Sequence, residues 1–192
     1  MSSTKKMVLL TAPSGAGKTT IARRLMKAFP FLTFSISATT RPPRPNEKHG
    51  EDYYFYSDAK FSKLVEEGAF IEYEEVYPGK YYGTLQKSVD RIWQKGLTIL
   101  FDLDVKGARN LKSIFGDRCL SLFIEPESLA VLEERLKKRR TETEQTLALR
   151  LKRAEFELNQ SDFFDYSIVN KDLDVAVAEA RDRVLEFMEV YD

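Results

Sequence analysis

Short apolar runs recur along the chain, and stretches with helical spacing separate them. The runs cover residues 7–11, 31–36, 97–101, 119–124 and 166–169. Each is short and apolar enough to be a strand that is buried on both faces. Between them, hydrophobic residues return every three or four positions, as on the buried face of an amphipathic helix. The alternation predicts an α/β fold with a parallel sheet flanked by helices, in which ligands bind at the carboxyl ends of the strands.

The segment 37–88 interrupts this alternation, because it contains four prolines and seven tyrosines. We predict that it is an inserted small α+β subdomain, with short strands and one helix at residues 58–67. The remaining residues, 1–36 and 89–192, form the predicted core. A basic run at residues 135–140 followed by Thr-Glu-Thr-Glu predicts a mobile loop between helices, in which a capping box begins the next helix.

Composition restricts the class of protein. The 192 residues are 43% hydrophobic and 31% charged, which suits a globular core and excludes a disordered chain. Thirty basic and thirty acidic residues cancel, so we expect no nucleic-acid partner and no attraction to anionic lipid. The single cysteine, Cys119, fits a reducing compartment, and no run is long enough for a membrane helix. We therefore expect a cytoplasmic protein whose anion sites are built locally.

The loop after the first predicted strand, APSGAGKTT, matches the P-loop pattern G-x-x-x-x-G-K-[ST], although Ala12 replaces the first glycine. Gly15 and Gly17 let backbone N–H groups turn toward a triphosphate. Lys18 reaches the outer phosphates, and Thr19 offers its hydroxyl to Mg²⁺. A glycine-containing turn with a chance lysine is the alternative, which the matching flanks disfavour. The predicted ATP-binding residues of this loop are Ser14, Gly15, Ala16, Gly17, Lys18, Thr19 and Thr20.

The inserted segment carries side chains that suit a second phosphate. Arg41 and Arg44 lie three residues apart in a stretch that prolines keep extended, and planar guanidinium groups match phosphate oxygens. Tyr53 offers a phenol, and Glu72 places a carboxylate in an apolar, strand-like run. Taken singly, each has an ordinary alternative as a solvated charge, a packing aromatic or the polar face of a strand.

Taken in order along the chain, these motifs resemble the guanylate kinase family over nearly the whole length. The matching motifs are S-x-T-T-R-x-P-R, G-x-D-Y-x-F, F-I-E, Y-Y-G-T, D-x-D, R-x-T-E-T-E and I-V-N. The resemblance implies a P-loop kinase fold and transfer of the γ-phosphoryl group of ATP to GMP, in purine nucleotide metabolism. It also implies Mg²⁺ as the cofactor.

The resemblance assigns roles to the acceptor site. It implies that the phosphate of GMP is held by two arginines and two tyrosines, Arg41, Arg44, Tyr53 and Tyr82. The carboxylate of Glu72 would read the base, and the hydroxyls of Ser37 and Thr84 would add contacts to it. Asp104 would face the guanine. Asp104 also suits the N-cap of a following helix, and the two roles are compatible.

The remaining assignments concern the metal and the lid. The resemblance implies that Thr19 binds Mg²⁺ directly and that Asp102 holds it through water. Asn170 would approach adenine, or would simply form a turn. The resemblance also implies a mobile lid at about residues 135–150, whose arginines would clamp the transferring phosphoryl group. The implied catalytic set is Lys18, Arg41, Asp102, Arg135, Arg139 and Arg150.

Two alternatives to this function stay open from the sequence. The acceptor could be another nucleoside monophosphate, or the chain could be a non-catalytic guanylate-kinase-like module that binds a protein. The intact Lys18 and Thr19 disfavour the second alternative. The predicted partners are ATP and GMP, and the chain is expected to be a monomer or a homodimer.

Overall fold

The computed structural model describes residues 5–138 and 144–189, which form two sheets and their flanking helices. The strands in chain order are β1 (Met7–Thr11), β2 (Leu32–Phe34), β3 (Ala38–Thr39), β4 (Tyr54–Phe55), β5 (Phe70–Tyr77), β6 (Lys80–Leu85), β7 (Thr98–Leu103), β8 (Cys119–Pro126) and β9 (Tyr166–Asn170). The helices are α1 (Lys18–Ala28), α2 (Asp58–Glu66), α3 (Gln86–Gln94), α4 (Val105–Phe115), α5 (Leu129–Lys138), α6 (Glu144–Leu158) and α7 (Leu173–Glu189).

The larger sheet is parallel and has the strand order β2-β7-β1-β8-β9. Its central strand, β1, is buried along its whole length. Val8 and Leu10 belong to a core that includes α1 and α7, whereas Met7 and Leu9 belong to a second core that includes α3 and α4. Helices therefore cover both faces of the inner strands, which explains why β1, β7 and β8 are apolar runs rather than alternating ones. The run predicted at 166–169 is not buried on both faces, because β9 is an edge strand that leaves Tyr166 and Val169 exposed. The predicted α/β fold is confirmed.

The smaller sheet has the strand order β4-β3-β6-β5 and lies within the segment that interrupts the pattern. Strands β5 and β6 are antiparallel and pair Glu72 with Thr84. Phe61 of α2 is buried and stacks on Phe70 with ring centroids 4.5 Å apart, which attaches the helix to the sheet. The predicted helix at 58–67 is observed and ends at Glu66.

Element bounds differ modestly from the sequence predictions. The predicted strand at 31–36 is regular only from Leu32 to Phe34, because the chain then crosses to the second sheet at Ala38. The strands predicted at 97–101 and 119–124 run on to Leu103 and Pro126, toward the edge where the P-loop lies.

Helices α5 and α6 bury Leu132, Leu136 and Ala154 against each other. The described part of α6 begins at Glu144, and Arg139 together with most of the predicted capping box lies outside the described residues. Among the described helices, none is long and apolar enough to cross a membrane.

Candidate active site

A cleft opens between the carboxyl end of the parallel sheet and the smaller sheet. The P-loop and the end of β7 form one wall, and β5 and β6 form the opposite wall. The sequence-predicted residues that line it are Ser14, Gly15, Gly17, Lys18, Thr19, Thr20, Ser37, Tyr53, Glu72, Tyr82, Asp102, Asp104 and Arg150. The predicted residues that the described lining does not include are Ala16, Arg41, Arg44, Thr84, Arg135 and Asn170.

The P-loop needs glycine at two positions. Gly15 and Gly17 have φ values of +100° and +102°, which other residues rarely adopt. A Cβ at Gly15 would also lie 3.0 Å from Leu132 Cδ1, so α5 packs closely against the loop. The Gly17 carbonyl accepts hydrogen bonds from Thr20 N and Ile21 N, which starts helix α1 directly after the loop.

Asp102 contacts two polar side chains at the end of the P-loop, Lys18 and Thr19. Strands β1 and β7 are parallel and pair Leu10 with Asp102, so both strands end at the same edge. Lys18 Nζ lies 2.6 Å from Asp102 Oδ1 and donates to the carbonyl of Leu103 at 2.6 Å. The Thr19 hydroxyl donates to Asp102 Oδ2 at 3.3 Å. One ammonium group, one carboxylate and one hydroxyl group therefore lie together at the end of the P-loop.

Glu72 is a buried carboxyl group in the opposite wall, with only 8% of its surface exposed. The Thr84 hydroxyl donates to Glu72 Oε1 at 2.6 Å, because the two residues face each other across β5 and β6. Burial raises the pKa of Glu72 to about 7, although the hydrogen bond from Thr84 opposes this shift and the charge of Asp104 adds to it. Glu72 is therefore protonated more readily than an ordinary glutamate side chain.

Asp104 begins α4 as its N-cap, as predicted. Its Oδ1 accepts from Lys106 N at 2.8 Å and from Gly107 N at 3.1 Å. A Cβ at Gly107 would lie 3.2 Å from Glu72 Oε2, so the first turn of α4 closely approaches that carboxyl group. The helix start thus completes the wall around Glu72.

Arg41 is held firmly by a partner that the sequence analysis missed. Its Nη1 and Nη2 donate to the two carboxylate oxygens of Glu47 at 2.7 and 2.9 Å, and its Nε donates to the Tyr82 hydroxyl at 3.2 Å. Glu47 also accepts from Arg44 N at 2.8 Å. The hydrogen bonds from Arg41 hold the pKa of Glu47 below its usual range. Arg41 and Glu47 meet because the proline-rich loop turns between them. No pattern in the sequence predicts this ion pair.

Two phenols accompany this guanidinium group. Arg41 Cζ lies 5.3 Å from the centroid of the Tyr53 ring, and the rings of Tyr53 and Tyr82 meet edge to face at 6.0 Å. Burial raises the pKa of Tyr53 to about 12, so its hydroxyl remains a hydrogen-bond donor at neutral pH. Arg44, by contrast, leaves 69% of its side chain exposed.

The predicted lid arginines contact different parts of the core. Arg150 Nη1 donates to the Ser14 hydroxyl of the P-loop at 2.8 Å. Arg135 Nη2 donates to the backbone carbonyl of Asn170 at 3.3 Å. The structure therefore brings Arg150 into the cleft and places Arg135 behind the loop, beside the end of β9. The phosphoryl clamp predicted for these side chains stays a prediction.

Helix α6 adds an ion pair to the cleft that the sequence analysis also missed. Arg153 Nε donates to Glu157 at 2.7 Å, and Arg153 Nη1 donates to the Val76 carbonyl of β5 at 2.8 Å. The guanidinium group lies 5.0 Å from the centroid of the Tyr77 ring. Burial raises the pKa of Glu157, with Arg153 opposing the shift. The i, i+4 spacing was a usable signal for the pair, but its contact with β5 was not predictable.

Asn170 lies at the end of β9 with 4% of its surface exposed. Its side-chain amide donates to the Ala16 carbonyl at 2.6 Å. The side chain therefore supports the P-loop from below, and the predicted approach to adenine stays a prediction.

The central strand of the parallel sheet leads into a P-loop, and a second sheet faces that loop across a cleft. This architecture is that of a P-loop kinase. The family model described as guanylate kinase matches residues 4–187. A guanylate kinase of Salinibacter ruber is 49% identical over 96% of this chain and 97% of its own length. A guanylate kinase of Bacteroides thetaiotaomicron is 44% identical over 96% of this chain and 91% of its own. The crystal structure of guanylate kinase from Anaplasma phagocytophilum superimposes with a TM-score of 0.73 at 31% identity, covering 97% of this chain and 85% of that one. The chain belongs to the guanylate kinase family.

Proposed function

We propose that the cleft binds ATP at the P-loop and GMP against the smaller sheet, and that it aligns the two nucleotides for direct phosphoryl transfer. The reaction of the family is ATP + GMP ⇌ ADP + GDP, an ATP-dependent nucleoside monophosphate kinase reaction. The observation that carries the proposal is that the P-loop and the buried Glu72 line one cleft. Segment 37–88 is accordingly the GMP-binding subdomain, and residues from about 135 to 150 form the lid of the core.

Recognition of guanine rests on Glu72. Ionised, its carboxylate accepts hydrogen bonds from N1–H and from the exocyclic amine of guanine together. Adenine lacks that pair of donors and would leave a buried charge without partners, which costs more than poor shape alone. Thr84 fixes the carboxylate through its hydrogen bond, and Ser37 and Asp104 line the same cleft. This arrangement favours GMP over another nucleoside monophosphate.

The phosphate of GMP binds where Arg41 meets Tyr53 and Tyr82. The two phenols and the guanidinium group offer donors to phosphate oxygens, and Arg44 can reach the same anion from the exposed loop. Tyr82 accepts a hydrogen bond from Arg41, which leaves its own O–H free to donate. Glu47 fixes the plane of the Arg41 guanidinium before the substrate arrives.

The P-loop residues from Ser14 to Thr20 hold the phosphates of ATP, with Lys18 moving from Asp102 to the outer phosphates. The residues present also fit Mg²⁺, because Thr19 and Asp102 offer hard oxygen ligands within hydrogen-bonding distance of each other. No group of three or more metal-ligating side chains occurs among the described residues, which suits an ion held mainly by phosphates and water. Bound there, Mg²⁺ would neutralise phosphate charge.

The chemical step needs alignment and positive charge rather than a general base. The attacking oxygen of GMP is already largely ionised, since the second pKa of a phosphomonoester is about 6. Lys18, Arg41 of the smaller subdomain and the lid arginines Arg135, Arg139 and Arg150 stabilise the charge of the transferring group. The chain's single histidine, His49, has no role in this mechanism. Closure of the lid excludes water and limits hydrolysis of ATP.

A cytoplasmic location goes with this function, and it is supported by the free, buried Cys119. The nucleotide substrates are the partners that the proposal requires, and it holds equally for a monomer and a homodimer.

A coupled assay of ADP production, run in parallel with GMP, AMP, UMP and dTMP, tests the proposal. We expect rapid turnover with GMP and at least a hundredfold lower kcat/KM with the other acceptors, on the scale of rejecting a base that lacks matching donors. Equal turnover with AMP, or binding of GMP without formation of ADP, would contradict it.

A further inference from the structure

The end of β9 touches the P-loop through one buried side chain. Asn170 Nδ2 donates to the Ala16 carbonyl at 2.6 Å, between residues 154 positions apart. Asn170 and Ala16 are both buried, at 4% and 0% exposure. An amide held this far inside the protein is a fixed hydrogen-bond donor rather than a surface group that adapts to a ligand.

The same side chain fills the space that the loop leaves at Gly17. A Cβ built at Gly17 would overlap Asn170 Nδ2, and the φ of Gly17 is +102°. On its other side the loop meets α5, where Leu132 and Leu136 lie next to Gly15. The P-loop is thus held between a hydrophobic contact at one glycine and an amide at the other.

Asn170 also joins the loop to a lid arginine. The backbone carbonyl of Asn170 accepts from Arg135 Nη2 at 3.3 Å, while its side chain donates to Ala16. One residue therefore connects the last turn of α5 to the loop. Both contacts are made at the end of β9. There Asn170 pairs with Pro126 of the parallel strand β8, which fixes its position.

We propose that Asn170 is a positioning residue that sets the conformation of the P-loop through the Ala16 carbonyl, so that it supports binding of the triphosphate rather than of the adenine base. The proposal rests on the proposed function, because it takes the P-loop as the site of the ATP phosphates. Without the amide donor, the Ala16 carbonyl loses its partner and the peptide between Ala16 and Gly17 can turn. That rotation removes backbone donors from the phosphate site.

Asn170→Asp is the most informative variant, since it keeps the shape of the side chain and replaces the donor by an acceptor. Calorimetry with ATP, with inorganic tripolyphosphate and with GMP, each in the presence of Mg²⁺, distinguishes the roles. We expect affinity for ATP and for tripolyphosphate to fall by the same factor, at least about tenfold, the scale of one buried hydrogen bond. Affinity for GMP should stay within about twofold of the wild-type value.

A second signature comes from pH. A protonated carboxyl group is again a donor to Ala16, so the deficit of Asn170→Asp relative to the wild-type protein should shrink as the pH is lowered. Val169→Ala, at a half-exposed position on the same strand, is the matched control for damage to β9 and should bind tripolyphosphate normally. Asn170→Ser, which is shorter and uncharged, repeats the comparison if the aspartate variant does not fold.

The outcomes separate the two hypotheses. Loss of ATP affinity with unchanged tripolyphosphate affinity would overturn the proposal and assign Asn170 to the adenine base. Unchanged affinity for both ligands would also overturn it. Failure of the wild-type protein to bind tripolyphosphate or ATP at all would instead contradict the proposed function.

Discussion

Replacement of Glu72 by glutamine tests whether this buried carboxyl group is retained for recognition at the expense of stability. The substitution keeps the shape of the side chain and the oxygen that accepts from Thr84, but it removes the ionisable group. Burial raises the pKa of Glu72 from 4.5 to about 7. The folded protein therefore binds a proton more tightly than the unfolded chain does, and ionisation of Glu72 destabilises the fold.

The sign and size of the effect follow from linkage. At a pH below 4.5 the group is protonated in both states, and its burial as a charge costs nothing. As the pH rises through the interval up to about 7, the unfolded chain ionises first and the folded state loses stability relative to it. Above that interval the cost is constant at about 3 kcal/mol, since each pKa unit corresponds to about 1.4 kcal/mol.

Urea unfolding at about pH 5 and about pH 8 measures this difference. We expect the free energy of unfolding of Glu72→Gln, taken relative to that of the wild-type protein, to be about 2 kcal/mol higher at the upper pH than at the lower pH. Glu66→Gln, the same chemical change at an exposed position of α2, should show no such gain. A gain in Glu72→Gln that does not vary with pH would refute the reasoning.

The same variant should lose recognition of GMP. A glutamine amide presents an N–H group where guanine also presents a donor, so we expect kcat/KM for GMP to fall by about a hundredfold or more. In the wild-type protein, kcat/KM for GMP should rise with pH through about 7, as Glu72 ionises in the free enzyme. An unchanged ratio of GMP to AMP activity in Glu72→Gln would show that another group reads the base.

Three further variants test other parts of the site. Lys18→Met removes the cation that pairs with Asp102, and the coupled assay should show a loss of roughly a thousandfold in kcat; near-normal turnover would contradict the placement of this lysine. Glu47→Gln weakens the bidentate contact that orients Arg41, so steady-state kinetics should give a KM for GMP raised by about tenfold with the KM for ATP unchanged, and an equal rise in both would argue for general damage. Arg153→Met leaves Glu157 buried without its partner and should cost about 2 kcal/mol in urea unfolding. Adding Glu157→Gln should recover part of that loss, and no recovery would mean that the contact with Val76 matters more.

The elements of the core could be predicted from the sequence because their causes are local. Strand β1 is an apolar run because helices cover both of its faces, and the P-loop follows it in a glycine pattern that few other structures require. The N-cap role of Asp104 was readable for the same reason, since the helix begins at the next residue. Of the residues predicted to read the base, Ser37, Glu72 and Asp104 line one cleft, and Thr84 contacts Glu72 from the paired strand β6.

The partners that fix these groups depended on the tertiary structure. Glu47 lies close to Arg41 in sequence, but only the path of the loop turns its carboxylate onto the guanidinium group. Asn170 contacts Ala16, which lies 154 positions away in the sequence. The raised pKa of Glu72 arises because β6 and α4 bury its carboxyl group. Periodicity and spacing report the backbone state of neighbouring residues. Distances between side chains on different elements, and the solvent removed between them, are set only when the sheets and helices pack.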